Sequence, residues 1–211
     1  WVNGSQFLNN RVADVGVVSG ILAQEVYVDD SIFLDSTGVN ISTGSGSVTT
    51  STLCGCDVAV KSSGPLTMSH VAINAMGPNM VEVGGDNGDF DHLTIGPYYD
   101  GGYIGLMTGI HAAGSADVRN SAFVDLGRGV YFEDASRVPG SVQFSLFWDV
   151  GRTVVQQGVS GELPLGRGSL VADPLLVQQT GSWLTPCTSV DLRPLPGSPL
   201  IDAGDPLTQD V

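Results

Sequence analysis

Apolar and polar residues along this chain fall into a short phrase that recurs. It reads VNGSQF at 2–7, VDDSIF at 28–33, VTTSTL at 48–53, MSHVAI at 68–73, FDHLTI at 90–95, VRNSAF at 118–123, VQFSLF at 142–147 and GRGSLV at 166–171. The sixth position is always large and apolar: Phe7, Phe33, Leu53, Ile73, Ile95, Phe123, Phe147 and Val171. The fourth is most often serine, at Ser5, Ser31, Ser51, Ser121, Ser145 and Ser169. Alternate side chains of a strand share a face, so positions four and six are predicted to point inward together. Asn or Asp often stands at position eight, where a side chain bonded to nearby backbone favours a turn.

Later in most units a second strand-like run follows, as in GVNIS, DVAVKS, MVEVG, GVYFE and TVVQQ. No long stretch holds apolar residues at helical spacing. A strand, a bend and a second strand cannot bury an apolar face alone, but stacked copies can. The Leu-x-x-Leu-x-Leu signature of a leucine-rich horseshoe is missing, and propeller blades need about 40 residues each. The pattern predicts an all-β parallel β-solenoid of about seven to eight coils over 1–177, on the order of 40 Å long. Residues 178–211 are read as an extension packing on it.

The repeat is clearest in FVDLGRGV (123–130) and FWDVGRTV (147–154). Consecutive coils would place Arg128 over Arg152 and Asp125 over Asp149, and stacked like charges are unfavourable. Alternating Asp–Arg pairs across coils are the predicted remedy, giving a surface charge ladder of structural rather than catalytic role.

The hexads, with ADPLLV (172–177) and DLRPLPGSPLIDAGDP (191–206), resemble the bacterial secreted and surface right-handed parallel β-helix proteins of the pectate-lyase-like superfamily. The resemblance implies that the Asp-Pro-Leu segment ends the regular coils and that the Pro-Gly-Ser-Pro stretch packs as a C-terminal extension. Family members range from polysaccharide-degrading enzymes to adhesins, so this fold does not settle function. Its enzymes mostly work on the outward face of one long sheet, with acids stacked across coils.

Charge narrows the partners. Twenty-two acids against 8 Lys and Arg give a net charge of −14, which repels phosphate and argues against nucleic acid and anionic membrane surfaces. Cations, calcium above all, are the natural partners. No run of about 18 apolar residues exists to span a bilayer. The chain opens at Trp1 without a methionine and stops after DAGDPLTQDV, which reads as a piece of something longer. Of three cysteines, Cys187 could pair with Cys54 or Cys56 in an oxidising compartment, or all could be buried thiols. A secreted or cell-surface location follows from these features with the resemblance.

Candidate chemistry is thin. Hexad position five (Gln6, Ile32, Thr52, Ala72, Thr94, Ala122, Leu146, Leu170) and the seventh residue (Leu8, Leu34, Cys54, Asn74, Gly96, Val124, Trp148, Ala172) should face outward, and neither row holds a carboxylate or a base. That argues against polysaccharide chemistry on this sheet. The apolar members suggest a face to be covered by the extension, by a protein partner or by self-association. His70 and His92 should stack on successive coils near Asp86, Asp89 and Asp91, a set that could hold zinc or Ca2+ or could be polar residues at a bend. Tyr98, Tyr99 and Tyr103, in an enlarged coil, could stack on sugar rings or cap the core. The recurrent serines face inward, and no nucleophile-elbow context surrounds them. The reading is a non-catalytic structural, adhesive or self-assembling module; the alternative is a carbohydrate-active enzyme or sugar-binding module.

Overall fold

The computed structural model describes residues 1–8, 18–34, 38–97, 106–134, 140–176 and 195–199. The fold is an all-β parallel solenoid of about six turns, with 62% of the described residues in strands and no α-helix among them. Three ladders run its length. Sheet A joins the first hexad residues Val2, Val28, Val48, Met68, Phe90, Val118 and Val142 in register. Sheet B stacks the sixth residues, from Phe7 on Phe33 through to Phe147 on Val171. Sheet C is built from the second strand of each unit, with Ile21, Ile41, Val60, Val81, Ile110, Val130 and Val154 aligned. Every predicted hexad supplies a rung of sheet B. Seven units supply all three sheets, which makes six stacked steps between them, and among the described residues the eighth pairs in sheet B alone.

The corner between sheets A and B is a single residue. Hexad position three (Gly4, Asp30, Thr50, His70, His92, Asn120, Phe144 and Gly168) has φ between 45° and 70° in every coil. Gly, Asn and Asp enter this left-handed region most readily; Thr, His and Phe cost more there, about 1–2 kcal/mol each. The serine that follows secures the corner from inside. Ser121 Oγ accepts from Leu93 N–H at 3.1 Å and donates to the Arg119 carbonyl at 2.7 Å. Ser145 Oγ likewise accepts from Ser121 N–H and donates to the Gln143 carbonyl. Ser31 and Ser51 repeat the pattern lower in the stack. The ladder lapses where Val71 and Leu93 take the serine's place.

The core is the space between the sheets, filled by stacked like residues. Phe123 and Phe147 lie parallel, with ring centroids 5.0 Å apart and 7° between planes. Each ring leans toward a glycine of sheet C in the preceding coil. A Cβ on Gly109 would meet Phe123 at 2.9 Å, and one on Gly129 would meet Phe147 at 2.4 Å. Where the sheet B residue shrinks to Ile73, sheet C offers Ala59. Bulk on one sheet is matched by smallness on another, as close packing requires.

Candidate functional site

Sheet C also carries chemistry, on its outer face. Register places Ser42, Lys61, Glu82, His111, Tyr131 and Val155 in one row across successive coils. Strand alternation turns this row outward while Ile41, Val60, Val81, Ile110 and Val130 enter the core. Along the row runs an open groove of about 390 Å³, from Ser42 and Thr43 past Lys61, Asn79 and Glu82 to His111 and Glu133.

The middle of the groove is an ion pair. Lys61 Nζ lies 2.8 Å from Glu82 Oε2, and Asn79 Nδ2 donates to Glu82 Oε1 at 3.0 Å. Partial burial pushes the Glu82 carboxyl up, but the hydrogen bonds from Lys61 and Asn79, with the charges of Lys61 and His111, outweigh it and hold the group below its usual range. At the groove's far end His111 Nε2 sits 3.3 Å from Glu133 Oε2, yet the imidazole nitrogen is buried and makes no hydrogen bond. The Tyr131 ring stands 5.1 Å from His111, tilted by 57°. The Arg128 guanidinium lies 5.1 Å from the same ring's centroid.

The expected rows of sheet B fall elsewhere. Leu34, Cys54, Asn74, Ala122, Val124 and Leu146 are buried within the single chain, while Ile32 and Trp148 remain about a third exposed. Cys54, in this face, is disulfide-bonded. Cys56 is a free buried thiol, pushed up by burial and by neighbouring Asp57. Cys187 lies outside the described residues. Tyr98, Tyr99 and Tyr103 do as well.

His70 and His92 do stack, with centroids 4.6 Å apart and planes within 6°. The acids beside them are drawn to the next coil instead of converging. Arg119 donates to Asp89 at 2.8 Å, Asn120 Nδ2 donates to Asp91 at 2.8 Å, and Asp86 accepts from the Ser115 N–H at 3.3 Å. His92 Nδ1 approaches Asp91 at 3.1 Å. No group of three or more His, Cys, Asp or Glu suited to a metal ion occurs among the described residues. Arg128 stacks in register on Arg152 as the repeat implies, and Asp125 and Asp149 both take left-handed conformations at the following corner. The Arg128 guanidinium also lies over the π face of Tyr131.

The row on sheet C went unread in the sequence. Its strands are visible in DVAVKS, MVEVG and GVYFE, but Lys, Glu, His and Tyr share no residue type that would mark a column. Only a register count from the second strand of each unit could have aligned them. Compared with protein-family models, with curated proteins and with solved structures, the chain gives no match.

Proposed function

We propose that this chain is the coil region of a secreted or cell-surface adhesive module that holds a polysaccharide along sheet C without cleaving it. The observation that carries the proposal is the groove running across five successive coils, whose lining includes side chains that donate and accept hydrogen bonds. The disulfide at Cys54 supports an oxidising, extracellular setting. A right-handed coil and membership of the bacterial pectate-lyase-like superfamily complete the proposal, resting on the hexads and the Pro-Gly-Ser-Pro segment.

The groove's electrostatics favour holding over cutting. Lys61 is engaged by Glu82 at 2.8 Å rather than free to reach a sugar. Glu82, held ionised, is a poor general acid near neutral pH. That leaves Glu133 as the one remaining carboxylate among the described residues of the groove lining, where glycoside hydrolysis generally needs a pair. Close approach of His111 to Glu133 favours a second reading, a carbohydrate-active enzyme with these two as its acid–base pair.

Affinity electrophoresis through gels containing neutral, acidic and basic polysaccharides, with product analysis of the same mixtures, separates the readings. Retardation without fragments is expected. Fragments that vanish in Glu133→Gln would replace adhesion with catalysis, and no retardation by any polymer would sink both.

A further inference from the structure

We infer that the groove selects an amine-bearing glycan, with the ammonium seated on Glu133; this rests on the glycan reading above and names its ligand class. Three observations converge on it. First, the groove's charges do not cancel. Lys61 is matched by Glu82 at 2.8 Å, so with His111 counted as neutral Glu133 stands as an additional negative charge on the lining, within a chain of net charge −14 counted the same way. A uronate-rich polymer meets repulsion here, and a cationic one meets attraction.

Second, Glu133 is available. Its side chain is 53% exposed at the groove's end, and its described side-chain neighbour is the His111 imidazole at 3.3 Å. That approach is not aligned as a hydrogen bond, because His111 Nε2 has no partner. An ammonium bound to the carboxylate's outer oxygen would fix Glu133 in place and let its inner oxygen align with the imidazole. The free site therefore holds a buried nitrogen whose partner is within reach but out of line, which is the kind of exception that calls for an explanation.

Third, the rest of the wall suits a polyhydroxyl chain better than a peptide. Asn79 and the Lys61–Glu82 pair offer donors and acceptors on neighbouring coils, while Val83 and Ala113 are the apolar side chains of the lining. A peptide would want a deep apolar pocket for an anchoring side chain.

Isothermal titration of the intact chain with glucosamine oligomers, N-acetylglucosamine oligomers of equal length and oligogalacturonates tests this. The free-amine oligomer should bind roughly fivefold tighter than its acetylated counterpart, the size of a partly exposed charge pair. Glu133→Gln should abolish that advantage, bringing the affinities of the free-amine and acetylated oligomers together. A preference that survives in Glu133→Gln would trace to the overall negative charge and overturn the assignment, as would a lysine peptide that outcompetes the oligomer. Equal affinities, or tightest binding of oligogalacturonate, would overturn the amine selection while leaving the glycan reading intact. No binding of any oligomer would remove both. The melting transition of Glu133→Gln, expected to match wild type, confirms that the variant reports on binding.

Discussion

At the scale of single residues, the interior is governed by what lies one coil away. Gly129 is a clear case: a Cβ there would sit 2.4 Å from Phe147 Cε1 and 2.7 Å from the Thr153 carbonyl oxygen. The ring is locked in a stack with Phe123 and the carbonyl is backbone, so neither yields cheaply. Gly129→Ala should therefore destabilise the fold by about 1–3 kcal/mol, the usual cost of overpacking. Urea denaturation checks this; an unchanged midpoint would mean the ring can move. The left-handed corners teach a complementary lesson. Gly4, Asp30, Asn120 and Gly168 are residue types that favour the conformation. His70, His92 and Phe144 adopt it between strands whose ladders run on either side of the corner.

Elements hold together through side chains that pass hydrogen bonds from coil to coil. Ser121 joins three coils' worth of backbone: it receives Leu93 N–H, returns a bond to Arg119, and its own N–H goes to Ser145. Replacing it with alanine strands a buried N–H, at a cost of about 1–3 kcal/mol. The denaturation midpoint of Ser121→Ala should fall with its slope unchanged. An unaltered midpoint would show that water or a shifted backbone takes over. The Lys61–Glu82 pair braces the outer face of sheet C in the same manner. The folded-state Glu82 carboxyl titrates below its unfolded value, so its contribution is complete above the ordinary glutamate range and is lost as pH falls through the folded value. The stability gap between wild type and Lys61→Met should thus be open at neutral pH and close on acidification. A gap independent of pH would assign Lys61 a packing role only.

The whole molecule shows why scaffold and site differed in legibility. Sheet B could be read to the residue, since stacking selects the same kind of side chain each time and Phe, Leu, Ile and Val recur at one position. The groove could not, because its row is chosen for complementarity, with Lys61 against Glu82 and His111 beside Glu133. Spacing also differs: the unit between Phe90 and Val118 is enlarged, which hides His111 from any fixed period. The apolar outer rows of sheet B were legible as a surface wanting cover, and much of that surface is buried within this one chain. The central claim is that sheet C's outer face is where a glycan lies. Amide chemical shifts of the labelled 21.9 kDa chain, followed by NMR as an amine-bearing oligosaccharide is added, test it most directly. The account predicts saturable shifts concentrated at 42–43, 61–63, 79–84, 111–113 and 133; shifts clustered instead around Asp89, Asp117 and Arg119 on sheet A, or none at saturating oligosaccharide, would contradict it.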